Sequence, residues 1–181
     1  MDDIDDMGRR VDEMDRRIDD MDRRLLSALH ACGADPRVAA VARALSWTGE
    51  HGALWLTAGL VGAAVDRERR GPWLRGTALT ATAHLTSMGV KRLVRRPRPG
   101  HVRPLVRTAG RHSFPSSHAT SAAAAAVAFG ALGVPAVLPL AAAMCVSRLV
   151  VGVHYPSDVA AGAALGAVTA RLGARWMGAA R

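Results

Sequence analysis

The chain has 181 residues, 50% of them hydrophobic and only 4% aromatic, with a formal net charge of +9. That length fits one domain with a real core and excludes a second of ordinary size. Its basic residues come without zinc-finger spacing, an RNA-binding signature or an aromatic stacking platform, which excludes nucleic acid as a partner.

The charge is unevenly placed. Residues 1–24 hold ten of the fifteen acidic groups, and beyond them eighteen basic groups face five acidic ones, a net of +13 that calls for lipid headgroups or phosphate esters. So charged a beginning argues against a signal peptide. This segment repeats every seven residues, as RRVDEMD, RRIDDMD and RRLLSAL from Arg9. Its apolar positions Ile4, Met7, Val11, Met14, Ile18, Met21 and Leu25 alternate in steps of three and four, the pattern of a heptad seam. We expect an amphipathic helix over residues 1–30, set apart from a domain at 31–181. The seam suggests a homo-oligomer through residues 4–25, and the competing reading is a helix lying on the membrane.

Residues 25–49 continue as amphipathic helix with a break near Gly33–Pro36. Arg37 and Arg43 make this piece a poor membrane span, so it is expected at the interface. Apolar runs follow at 51–65, 72–92, 117–132, 134–151 and 156–175, each near the ~20 residues that cross a bilayer. The predicted fold class is all-α, a polytopic transmembrane helical bundle of five spans with a sixth as the variant, in the cell membrane with membrane lipids as partners. The alternative is a soluble Ala-rich helical domain. Ala122–Ala126 and the Ala160, Gly162, Gly166 series supply small residues that let helices approach closely. Cys32 and Cys145 form no CxxC motif and read as core thiols.

Three polar clusters interrupt the apolar background, and five spans put all of them at one membrane face. Lys91 to Arg98-Pro99 closes the second span, Pro115-Ser116-Ser117-His118 opens the third, and Ser147-Arg148, His154 and Asp158 join the last two. A phosphate monoester carries close to two negative charges, and desolvating it without partners costs many kcal/mol. Arg98 and Arg148 can grip its oxygens in pairs while Lys91, the only lysine of the chain, acts as a point charge. His154 can attack phosphorus, with Asp158 four residues on taking its other ring proton. Pro156 suits the first turn of a helix and would leave His154 in the loop before it. His118, after a Pro-Ser-Ser turn, suits a general acid, and Ser116 and Ser117 with nearby backbone N–H groups complete the phosphate cradle.

These clusters resemble the three-part signature of the type-2 phosphatidic acid phosphatase (PAP2) superfamily, KX6RP, PSGH and SRX5HX3D, a group that also contains glucose-6-phosphatase and the vanadium haloperoxidases. The one departure is Ser117 at the glycine of the second element, which keeps the backbone N–H but crowds the phosphate. The resemblance covers residues 91–158 and implies a membrane lipid phosphatase with a phosphohistidine intermediate, in which His154, His118 and Asp158 are catalytic and Lys91, Arg98, Ser116, Ser117 and Arg148 bind phosphate.

No cofactor is expected. A metal site built from His112, His118, His154 and Asp158 is the competing reading, but Lys91, Arg98 and Arg148 would repel a divalent cation. The substrate classes implied are polyprenyl-linked phosphates first and glycerolipid phosphates second, and the composition is similar to that of actinobacterial members proposed to act on decaprenylphosphoryl-5-phosphoribose. The rival function is a silent lipid-phosphate-binding or scaffold protein. Seventeen basic residues on the side of the site against seven on the other predict a cytoplasmic-facing site. His84 reads as a packed polar residue, and Glu50 and His51 stay outside the expected site.

Overall fold

The computed structural model describes residues 2–108 and 110–179, with the side chains of 2–5 and 175–179 outside the description. Among the described residues there are seven α-helices and no strand: α1 (Asp2–Ala31), α2 (Pro36–Thr48), α3 (Ala53–Val65), α4 (Arg70–Val94), α5 (Ser117–Gly130), α6 (Val137–Val150) and α7 (Pro156–Ala179). The all-α expectation holds. The expected break before Pro36 is a 3-10 turn at Cys32–Ala34. Asp35 then caps α2, its Oδ1 accepting from the Arg37 and Val38 amides at 2.7 and 3.3 Å, with Pro36 at the first helical position where its missing N–H costs nothing.

No helix among the described residues is long and apolar enough to cross a membrane. The apolar runs include their own turns, so α3, α5 and α6 keep only 13, 14 and 14 residues, about 20 Å of helix against a hydrocarbon core of about 30 Å. The longer α4 and α7 have 25 and 24 residues, but α4 carries Arg70, Arg75, Lys91 and Arg92. One further expectation fails locally: Cys32 is exposed, because the chain unwinds there between two helices.

The centre of the molecule is α5, whose small residues Ala119, Ala122, Ala124 and Ala125 are fully buried. It packs against α4, α6 and α7. Phe129 at its far end joins Trp55 and Met144 in the largest apolar cluster, with its ring centroid 5.2 Å from that of Trp73. Buried hydroxyls in the bundle close on their own helices: Thr77 and Thr80 each donate to the carbonyl four residues back at 2.9 Å. The α5–α7 contact is the tightest. A Cβ at Gly162 would stand 2.5 Å from the Ser116 carbonyl oxygen, and one at Gly166 would stand 2.0 Å from that of Thr120. Backbone meets backbone here, and this contact sets His118 and Asp158 at neighbouring helix starts.

Replacing Gly166 by alanine should therefore lower the melting temperature in detergent, equivalent to about 1–3 kcal/mol of overpacking or more. Gly89 in α4 has open space around it, and Gly89→Ala should be neutral or stabilising by up to about 1 kcal/mol. Equal melting of the two variants would contradict the close approach.

Candidate active site

Each expected site residue sits at the end of an element on one side of the bundle. Lys91 is in the last turn of α4, Arg98 in the following loop, Ser117 and His118 in the first turn of α5, Arg148 in the last turn of α6, and Asp158 in the first turn of α7. Gly152, at φ +75°, turns the chain after α6 so that His154 comes back into the bundle, in the loop before α7 as Pro156 predicts.

Lys91, Arg98, Ser117, His118, Arg148 and His154 line one cavity of about 250 Å³. Asp158 stands behind His154, and both are buried, at 0% and 2% exposure. Ser116 takes a different place from the one expected. It is fully buried as the N-cap of α5, its Oγ accepting from the Ala119 amide at 3.5 Å and its own N–H donating to the Asp158 carbonyl at 3.0 Å. Its hydroxyl is turned into the helix rather than towards the cavity, and what it joins is α5 to α7.

The cavity also has walls that the sequence reading left out. Glu50, His51, His84, Met88, Thr108 and Gly110 line it. The helical spacing of His84 and Lys91, seven residues apart, was the available signal for His84. Glu50 and His51 sit in a 3-10 turn between α2 and α3 with His51 at φ 54°, a left-handed conformation uncommon for a residue with a side chain. Thr108 and Gly110 belong to the long loop after α4, which is pinned over the site. In that loop Ser113 N–H donates to Arg96 O at 2.8 Å, and Leu105 N–H to Val151 O at 2.9 Å.

The cations are held by neutral acceptors. Arg98 Nε donates to Gly110 O and its Nη1 to Val153 O, both at 2.8 Å. Arg148 donates to Ser46 Oγ and has only 2% exposure, while its Nε is buried without a partner. Lys91 Nζ lies 3.5 Å from His112 O. Binding capacity thus remains for an anion. The remaining Arg98 contact, Nη1 to His154 Nε2 at 3.4 Å, requires a lone pair on Nε2 and so places the ring proton on Nδ1. Nδ1 lies 3.5 Å from Asp158 Oδ2, within ion-pair reach but longer than a well-formed hydrogen bond. Asp158 Oδ2 also accepts from the Tyr155 amide at 2.9 Å.

Burial pushes the His154 imidazole down to about 3, Arg148, Arg98 and Lys91 push the same way, and the Asp158 contact opposes them. The ring is therefore neutral, with a free electron pair, through the whole physiological range. Arg98 is also lowered by burial but remains charged, opposed by Asp158 and Glu50.

A cavity with three cations at its wall suits a tetrahedral oxyanion, and a neutral imidazole at the same point can act on it; fold and site define an all-helical enzyme of phosphate-ester chemistry. Comparison with known proteins agrees. The PAP2 superfamily profile matches residues 73–181. The decaprenylphosphoryl-5-phosphoribose phosphatase of Mycobacterium tuberculosis is 48% identical over 135 residues, 73% of this chain and 76% of that protein. Among solved structures, the transmembrane PAP2-type phosphatidylglycerolphosphate phosphatase of Bacillus subtilis aligns with a TM-score of 0.57 at 22% identity, over 87% of this chain and 94% of that one. LpxE of Aquifex aeolicus aligns with a TM-score of 0.65 at 20% identity, over 86% and 95%. The chain belongs to the PAP2 superfamily, and it is a phosphatase.

Unfolding returns His154 to an ordinary value near 6.5, so between pH 6.5 and about 3 the unfolded chain binds the proton first. The stability this site contributes is complete above pH 6.5 and is lost as pH falls, by up to about 1.4 kcal/mol per pH unit. Denaturant unfolding at several pH values should show that slope, reduced by one proton's worth in His154→Gln. An equal slope in the variant would mean that His154 is not buried neutral.

Proposed function

We propose that the chain removes a phosphate monoester from a polyprenyl-linked sugar, through a covalent phosphohistidine on His154. The observation that carries this reading is the Nε2 lone pair of a neutral, buried imidazole at the point where Lys91, Arg98 and Arg148 converge. The phosphate displaces the Arg98 contact and takes the cations' free donors. Nε2 attacks phosphorus as the ester P–O bond breaks, and charge moving onto the phosphoryl oxygens is met by cations already in place. As the ring gains positive charge, its Nδ1–H donates to the Asp158 carboxylate. His118 Nε2 lies 3.0 Å from the Ser46 carbonyl, an acceptor only, so Nε2 carries the ring proton and Nδ1 is left to take the proton of the bound phosphate monoanion and pass it to the leaving alkoxide. Water then attacks the phosphohistidine, His118 takes its proton, and inorganic phosphate and neutral His154 are regenerated.

The activity for which the mycobacterial relative is named supports a sugar-linked polyprenyl substrate, and so does the wall beside His118. Glu50 Oε2 lies 4.0 Å from His118 Nε2, and with His51 and His84 it gives the leaving-group side several partners for hydroxyls. A ribosyl leaving group has hydroxyls to offer there, whereas diacylglycerol has none. Large apolar residues stand exposed on α3 (Leu60, Val61, Val65), α4 (Leu85), α6 (Leu138, Val146) and α7 (Val168, Leu172), which supports embedding in a locally thinned bilayer. The docking of α1 at the same end as the site agrees with an odd number of crossings after it, and the basic excess at that end favours the cytoplasmic face.

Purified protein in detergent should release phosphate from a prenyl-phosphosugar with higher kcat/KM than from phosphatidic acid, and EDTA should not slow it, since Lys91, Arg98 and Arg148 occupy the place a divalent cation would need. His154→Ala should lose at least about 10³-fold. Release from neither lipid by a folded wild type would turn the reading towards a binding protein.

The heptad seam belongs to the same proposal. Met7, Val11, Met14, Ile18, Met21 and Leu25 are exposed along α1, with Ile4 outside the described side chains. With Ile4, Val11, Ile18 and Leu25 at a, the g positions are Arg10, Arg17 and Arg24 and the exposed acidic e position is Asp15, the next e position, Asp22, being buried against α7. A parallel, in-register pair sets Arg10 of one copy beside Asp15 of the other, whereas an antiparallel pair opposes arginine to arginine. A parallel homodimer is the assembly that this pattern fits. Met14→Asp should halve the mass measured by light scattering in detergent with kcat retained, and an unchanged mass would refute the seam as interface.

A further inference from the structure

The guanidinium of Arg96 stands between two buried carboxylates. Its Nη1 donates to Asp158 Oδ1 at 3.0 Å and to Ser157 Oγ at 2.7 Å, and its Nη2 donates to Asp22 Oδ2 at 2.9 Å and Asp19 Oδ1 at 3.1 Å. The same group lies over the Tyr155 ring, 4.3 Å from its centroid. Asp22 has no exposure although it belongs to the charged heptad helix. Its Oδ1 accepts from the Ser157 amide at 2.9 Å and its Oδ2 from the Ser157 hydroxyl, so a carboxylate of α1 satisfies a free N–H in the first turn of α7. Arg96 is not part of the three-part signature, and neither it nor Asp22 lines the cavity.

From this arrangement we infer that Arg96 and Asp22 are positioning residues for the reaction: together they fix the carboxylate of Asp158 behind His154 and so make the N-terminal helix part of the catalytic apparatus. Asp158 has two oxygens with separate duties. Oδ2 receives the Tyr155 amide and faces His154 Nδ1, and Oδ1 is given wholly to Arg96. A carboxylate held on one oxygen only can rotate about its Cβ–Cγ bond and leave the imidazole, whereas one held on both cannot. The pairing also keeps the carboxylate an anion, so that it stabilises charge on the ring during phosphoryl transfer without taking the proton itself. Without Arg96, Asp22 and Asp158 would be two buried negative charges sharing one region, and one of them would be driven to protonate. Outer partners that orient an active-site ligand in this way typically contribute 10–100-fold.

The inference rests on the phosphohistidine reading, and the experiment separates the two. Arg96→Lys, Arg96→Met and Asp22→Asn would be assayed in the full-length protein beside wild type and the exposed control Asp20→Asn, with kcat, KM, inhibition by inorganic phosphate and inhibition by orthovanadate measured for each. Phosphate needs only the cation cradle, while vanadate, as an analogue of the five-coordinate transition state, also needs a bond from a correctly aimed His154 Nε2. We expect kcat to fall about 10–100-fold in Arg96→Met, with KM and phosphate inhibition within about twofold of wild type and vanadate inhibition weakened in step with kcat. Arg96→Lys should recover part of the loss, Asp22→Asn should lie between Lys and Met, and Asp20→Asn should match wild type. Retained kcat in Arg96→Met, or a parallel loss of phosphate and vanadate inhibition with a lowered melting temperature in Arg96→Lys as well, would overturn the positioning role. A folded wild type without turnover would overturn the phosphatase chemistry itself, and this inference with it.

Discussion

Three cations and a neutral imidazole share one cavity, and much of the bundle is organised around the free energy of keeping them there. Each cation removed from water needs acceptors, but an acceptor with full negative charge would compete with the phosphate. Carbonyl and hydroxyl oxygens meet both requirements. Arg98 is held by Gly110 and Val153, Arg148 by Ser46, and Lys91 is steadied by His112. These partners come from the loop over the site, from α2 and from the turn before α7, so elements that contribute no reacting atom are still required for the site. Of the two carboxylates near the centre, Glu50 stands at the cavity wall beside His118, and Asp158 is turned to the far side of His154 and neutralised there by Arg96. Like charges repel across the cavity, and a phosphate bound as proposed would remove that repulsion, so that binding and relief of electrostatic strain would be one event.

Precision in such a site has to come from the backbone. The residues that matter lie at helix ends, and a helix end is fixed only as well as the helix is packed. Glycines at 162 and 166 let α7 meet α5 at backbone distance, and the amide of Ser116 donates to the carbonyl of Asp158 across the contact. The helix starts that carry His118 and Asp158 are therefore joined through one peptide hydrogen bond, without a flexible side chain between them. This gives Ser116 a physical reason to be serine. Its hydroxyl caps α5, so the helix start that carries His118 does not fray.

What was legible from sequence follows the same division. Helices at 53–65, 70–94, 117–130, 137–150 and 156–179 lie close to the apolar runs, because periodicity and Pro36, Gly33 and Pro156 are local signals. His154, His118, Lys91, Arg98 and Arg148 announced themselves because three distant clusters had the spacing of one family. Ser116 kept its place in the motif, but its hydroxyl direction depends on the cap. Glu50 and His51 depend on a left-handed turn that no residue type demands, since a histidine at φ 54° is chosen by tertiary packing. Arg96 was one arginine among several in a basic loop, and only folding shows which of them meets a carboxylate. The membrane reading was the least legible: hydropathy counts residues in a run, whereas crossing depends on the helical part alone.

The N-terminal helix joins these lines. Its heptads can be read as a seam, and on that reading alone the segment would be an independent appendage. Asp22 and Leu26, one turn apart, are both fully buried, while Ile18, Met21 and Leu25 on the adjoining face stay exposed. Leu26 packs with Ala119, Leu149 and Val159, beside the starts of α5 and α7. His30 fixes the end of the helix by donating from Nδ1 to Val150 O at 2.9 Å. The last turns of α1 therefore have two faces, one packed on the bundle and one exposed along the seam. A rigid helix transmits a constraint on one face to the other, since rotation about its axis moves both. In the proposed dimer, pairing along the seam would hold Asp22 in the rotation that reaches Ser157 and Arg96, so the seam and the Asp158–His154 pair would share a single mechanical element.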